Sequence, residues 1–140
     1  MKKKHIKKKM TLPRLKKKVW KAFSIYIRHQ TKEYIPCYTC GQVNHWTCLH
    51  AGHAIAGRHN GVIFDLFLVR PQCAKCNIFN GGEYGKFAAK LIREFGLEWY
   101  EAKQRLCSKG SSRIVKYTRD EYIEMLQFFT EHGKESHAKN

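Results

Sequence analysis

Two Cys-x-x-Cys pairs, Cys37/Cys40 and Cys73/Cys76, bracket residues 41–72, and they restrict this chain more than any other feature. Four thiolates at such spacing can close a tetrahedral zinc shell, and four sulfurs leave the ion no open position for chemistry. The zinc is therefore read as structural, a cross-link between the two ends of a long loop. A thioredoxin-like redox pair would need one such motif in a βαβ context rather than two. Disulfides are the other use of six cysteines. The paired spacing, and an N-terminus with charge but no apolar run after it, point instead to a reducing cytosol. Cys48 and Cys107 are left over and read as small buried hydrophobes.

Charge restricts the partner. There are 27 Lys+Arg against 11 Asp+Glu, a net +16 on 140 residues. Residues 1–21 hold Lys and Arg but no acid, and only Glu33 and Asp65 precede Glu83. The cysteine- and histidine-bearing half thus sits in a positive field, while residues 118–140 are richer in carboxylates. Such a distribution suits a polyanion, with binding that weakens steeply as salt rises. No stretch approaches the ~20 apolar residues of a membrane span.

Along the chain, residues 1–14 read as a basic arm, 15–108 as one zinc-containing domain, and 109–140 as a linker and a C-terminal helix packed on it. Leu15, Val19, Phe23, Tyr26 and Ile27 recur at helical spacing, with Lys16, Lys17, Lys18, Lys21 and Arg28 on the other face. Ile35–Gly41 reads as a zinc knuckle. Residues 46–56 are expected to form a strand, a turn and a second strand, and Val62–Val69 a buried strand, after which Pro71-Gln72-Cys73 turns into the second knuckle. A short helix from Cys76 or Asn77 breaks at Asn80-Gly81-Gly82. Helices are expected over Tyr84–Phe95 and Leu97–Cys107. Another begins at Thr118, where Thr118-x-x-Glu121 is a capping box.

Four of the chain's eight histidines, His45, His50, His53 and His59, lie between the knuckles. A lone histidine is usually a satisfied surface or core residue; four beside a zinc cross-link suggest chemistry. On extended backbone His50 and His53 point to opposite faces. Asn77, one residue after a zinc ligand, offers a neutral oxygen. His50 and Asn77 together can hold a divalent ion, Mg²⁺, Mn²⁺ or Zn²⁺, while a neutral His53 can deprotonate water. Lys16, Lys17, Lys21, Arg58, His59, Lys75 and Lys86 are candidates for contact with nucleic-acid phosphates.

Cys-x-x-Cys-Gly, then Ala51-Gly52-His53, then Gln72-Cys73-Ala74-Lys75-Cys76-Asn77 with Gly81 and Tyr84 beyond, resembles the phage NinG (Rap) recombination endonucleases, within the HNH or His-Me finger nucleases. The likeness covers roughly residues 19–106. It implies an α+β fold with a small zinc-stapled ββα-metal core flanked by helices. It further implies metal-dependent cleavage of DNA in branched recombination intermediates (Holliday junctions or D-loops), in the cytoplasm of a phage-infected or prophage-carrying bacterium. By this resemblance His53 matches the general base, Asn77 the metal ligand on the helix, and Cys37, Cys40, Cys73 and Cys76 the structural zinc ligands. Two positions depart from the pattern. His50 stands where the family has Asp, which alters metal preference. Leu68 stands where it has an Asn that orients the base histidine, so that task falls to Asn60 or His59. Symmetric junction cutting needs two active sites, hence an expected homodimer. The alternative reading is a non-catalytic zinc-knuckle protein that binds DNA or RNA.

Overall fold

The computed structural model describes residues 9–29, 32–57, 60–107 and 115–135. Helix α1 (Leu12–Arg28) starts with Pro13 in its first turn, where the missing N–H costs nothing, and buries Leu15, Val19, Phe23 and Ile27 as one stripe. That stripe meets α4 (Arg119–Glu135), whose Tyr122 and Phe129 complete the first core cluster together with Val69. Phe23 sits edge-on to Phe129 at 5.0 Å. The capping box at the start of α4 forms as the sequence indicates. Glu121 N–H donates to Thr118 Oγ1 at 3.3 Å and Thr118 N–H donates to Glu121 at 2.6 Å.

Two small antiparallel sheets carry the knuckles. Strands β1 (Tyr34–Pro36) and β2 (Val43–His45) flank the first, and the chain reverses between them through Gly41 at φ 78°, a left-handed turn that favours glycine. Strands β3 (Leu49–His53) and β4 (Val69–Cys73) pair with Leu49 opposite Cys73 and His53 opposite Val69. A π-helical turn, Lys75–Phe79, follows β4 directly. Helices α2 (Tyr84–Phe95) and α3 (Leu97–Cys107) then fold back over the loop between β3 and β4. Phe87, Leu91 and Tyr100 bury Ala54, Val62 and Leu68 in a second cluster. The third cluster surrounds the paired cysteines: Ile35, Cys37, Leu49, Cys73 and Cys76, with Trp46 against it.

The helices fall within a few residues of where periodicity puts them, but the strands do not. Residues 46–56 are not a strand–turn–strand. Trp46–Cys48 is a 3-10 turn, and only Leu49–His53 is extended, paired with a segment far along the chain. Nor is Val62–Val69 a strand. Val62, Ile63, Leu68 and Val69 are buried, but extended pairing begins only at Val69. The reason lies at Asp65, whose Oδ1 accepts the N–H groups of Phe67 at 2.9 Å and Leu68 at 3.1 Å. A side chain that satisfies the local donors offers the backbone an alternative to a ladder. Pro71 and Gln72, expected as a turn, instead lie in β4.

Candidate metal centres and cleft

The four cysteines come together from three places: the knuckle after β1, the end of β4 and the π-helical turn. Their sulfurs all lie within 4.8 Å of one another, and Cys40 and Cys73 are 3.8 Å apart. Two sulfurs on one tetrahedral zinc, each ~2.3 Å from the ion, stand about 3.8 Å apart. The four sulfurs are therefore close enough together to hold a metal such as zinc. Burial raises the Cys37 thiol, but the Thr39 hydroxyl and the N–H groups of Cys73, Cys40 and Thr39 outweigh it and bring it down to about 6. Burial pushes Cys76 up to about 12. One thiolate is thus already stabilised, whereas another needs a cation beside it to ionise.

Gln72 locks this centre to the rest. It is fully buried, and its Nε2 donates both to Thr39 Oγ1 at 3.1 Å and to the Gly82 carbonyl at 3.0 Å. Its side chain lies across Gly52, where a Cβ would come within 1.9 Å of Gln72 Oε1. Glycine in the Ala-Gly-His triplet is therefore a matter of space: the amide that joins the two knuckles occupies the volume of a side chain.

Next to the four-cysteine site lies a cleft of about 540 Å³. Strand β3 contributes His50 and His53, and the π-helical turn contributes Asn77. Although their spacing on a strand sets the two histidines on opposite faces, both reach this one cleft. Asn77 Nδ2 donates to His50 Nδ1 at 3.1 Å. His53 Nε2 lies 3.4 Å from the Ile63 carbonyl; a carbonyl only accepts, so this contact is a hydrogen bond in the tautomer that carries the proton on Nε2. The indole of Trp20 stacks on the imidazole at 5.0 Å with a 19° interplanar angle.

The cleft also contains residues that sequence reasoning did not select. Trp20, Ser24 and Arg28 form one face of α1, four residues apart, and all three line it. Arg28 donates to the Leu49 carbonyl at 3.1 Å, and burial lowers its pKa. Helical periodicity groups these three, but nothing local shows that their face turns towards β3.

Of the expected phosphate contacts, Lys17 and Lys75 are exposed. Lys21 borders a groove between α1 and α4 rather than the cleft. Lys86 lies 3.3 Å from Glu83. Lys16 has a different task, donating to Asn60 Oδ1 at 2.6 Å and tying the β3–β4 loop to α1. Arg58 and His59 lie outside the described residues. Leu68, at the position where the resemblance calls for Asn, is 1% exposed and part of the second core cluster. Asn60 does anchor the loop, with Nδ2 donating to the Val115 carbonyl at 3.1 Å. Nearer His53, Asp65 holds the loop backbone and is itself ion-paired to Lys103 of α3.

Among the described residues no helix is long and apolar enough to cross a membrane. Comparison with curated proteins and with solved structures gives no match. The family model described as bacteriophage Lambda NinG protein matches residues 1–138, nearly the whole chain, and the protein belongs to that phage family.

Proposed function

We propose that this chain is a metal-dependent DNA endonuclease of the HNH or His-Me finger type, acting on branched recombination intermediates. The observation that carries this reading is the meeting of His50, Asn77 and His53 in one cleft, the histidines on β3, which pairs with β4, and Asn77 on the helical turn after β4. Two donors set at right angles on one ion, each ~2.1 Å away, are about 3 Å apart. The 3.1 Å between His50 Nδ1 and the Asn77 amide matches that separation. Rotating the amide exchanges its nitrogen and oxygen in place and presents Oδ1 beside the imidazole nitrogen. The imidazole donor suits Mn²⁺ or Zn²⁺, with Mg²⁺ served by the amide oxygen and water. A divalent ion held there would stabilise negative charge on the scissile phosphate and the departing oxygen.

The remaining work falls to the chain's own groups. His53 Nδ1 takes a proton from the water that attacks phosphorus. The Ile63 carbonyl and the Trp20 ring keep that nitrogen aimed, and the imidazolium formed is stabilised by its bond to Ile63. Arg28, on the cleft wall, offers guanidinium charge to the phosphate. Exposed lysines of α1 hold the flanking backbone, and shape rather than base edges is read.

The test is cleavage of a labelled four-way junction and a matched linear duplex, with Mg²⁺, Mn²⁺ or neither, by the native chain and His53→Ala. Metal-dependent nicking that His53→Ala removes without loss of binding is the expected result. A second reading, a zinc-stapled nucleic-acid binder without catalysis, draws on the hydrogen bond that already satisfies His50 and Asn77. Tight binding with no cleavage under any added metal would establish it instead.

A further inference from the structure

Tyr84 lines the cleft that holds His50, His53 and Asn77, yet the chemistry above gives it no part. It opens α2, and it belongs to none of the three buried clusters. At 43% exposure the ring is not a core residue. Among the described residues nothing is hydrogen-bonded to its hydroxyl. A tyrosine set here for packing alone would need no hydroxyl, because phenylalanine offers the same ring.

The ring is nonetheless fixed. Its phenol end lies over Gly82, where a Cβ would come within 3.0 Å of Cζ and 3.3 Å of the hydroxyl oxygen. Gly82 is itself held from two sides. Its N–H donates to the Cys76 carbonyl at 2.9 Å, and its carbonyl accepts from the buried Gln72 at 3.0 Å. The hydroxyl therefore stands at a set place beside the turn that carries Asn77, as a donor without a partner. On the opposite wall α1 brings Arg28 to the same cleft. A phosphate between the two walls meets a guanidinium on one side and a phenol on the other.

We infer that the Tyr84 hydroxyl donates a hydrogen bond to a non-bridging oxygen of the scissile phosphate, which makes Tyr84 a further catalytic residue. The inference deepens the nuclease reading and rests on it. As water attacks phosphorus, negative charge grows on those oxygens. A donor already held in place stabilises that charge without having to reorganise. No described base is bonded to the phenol to take its proton, so it acts as a donor rather than as a nucleophile.

The experiment follows single-turnover cleavage of a labelled four-way junction by the native chain, Tyr84→Phe and His53→Ala in Mn²⁺. Once the cut site is mapped, each phosphorothioate diastereomer at that phosphate is compared with the all-oxygen strand. Tyr84→Phe keeps the ring over Gly82, so Tm should not change. Its cleavage rate should fall about 10- to 100-fold, while junction affinity stays within about threefold of the native value. Sulfur accepts hydrogen bonds poorly, so the native chain should cut one diastereomer slowly, and that penalty should largely vanish in Tyr84→Phe. A structural role alone would leave the two effects multiplying. A native rate in Tyr84→Phe, or effects that multiply for both diastereomers, would overturn the inference. So would a Tyr84-dependent protein–DNA adduct that survives denaturation, which would make the phenol the nucleophile. Cleavage that depends on His53 but not on Tyr84 would leave the nuclease standing and remove only this contact. No cleavage by the native chain in Mg²⁺, Mn²⁺ or Zn²⁺ would overturn the nuclease reading, and this inference with it.

Discussion

At the scale of single residues, the tightest constraint is at Gly52. A methyl group there would overlap the Gln72 side chain, which is hydrogen-bonded at its far end to Thr39 and Gly82 and cannot easily swing away. Gly52→Ala should lower stability by about 1–3 kcal/mol, read as a fall in Tm. Adding Gln72→Ala vacates the space, so the double variant should lose less than the sum of the two single losses. Strict additivity would mean that the side chain is not the obstacle. His53 makes a separate demand. If its Nδ1 is the base, His53→Ala should slow junction cleavage by about 10²- to 10⁴-fold while DNA affinity holds. A comparable fall in affinity would make His53 a binding residue instead.

At the scale of elements, the four-cysteine centre and the β3–β4 loop each position one side of the cleft. Cys76 and Asn77 share one short helical turn, and the sulfur cluster is itself the third core. Removing the metal with a chelator should melt that turn before α1 and α4 separate. Amide exchange at residues 77–82 would then rise first, while the α1–α4 amides stay protected. Simultaneous loss of protection would show that the zinc supports the whole chain cooperatively. On the other side, Asp65 caps the loop whose Ile63 carbonyl meets His53. Asp65→Ala removes two hydrogen bonds to a partly buried carboxylate, each contributing ~1.5–3 kcal/mol. Cleavage should fall with KM for the junction nearly constant, and the pH–rate profile should shift because the loop that presents the Ile63 carbonyl to His53 is no longer held. A change in Tm alone, with an unaltered profile, would reduce Asp65 to a stabilising role.

For the whole molecule, charge is the governing quantity. A net +16, concentrated ahead of residue 83, should make DNA binding depend steeply on salt. If six phosphates are neutralised, log Kd should change with log[salt] with a slope of about 5. A slope near 1 would mean that the basic arm and α1 stay off the backbone. The carboxylate-rich α4 packs against α1 through Tyr122 and Phe129, and among the described residues none of α4 lines the cleft.

The sequence by itself determined which four cysteines meet, where the helices run and the sign of the chain's own charge. Thiolate spacing, a 3.6-residue period and a count of lysines are local quantities that need no partner elsewhere in the chain. Helix α2 shows this, ending at Gly96 as its apolar stripe indicates. Only the tertiary structure decided the strands and the walls of the cleft. The partner of Leu49–His53 lies beyond a long loop, and an apolar run such as Val62–Val69 has no feature that separates a buried turn from a buried strand. Asp65 settles that choice with its own carboxylate. Trp20, Ser24 and Arg28 became cleft residues because α1 packs against β3 and β4 on one side and α4 on another. Which helix face meets which neighbour depends on contacts between distant segments, and no window of sequence contains both.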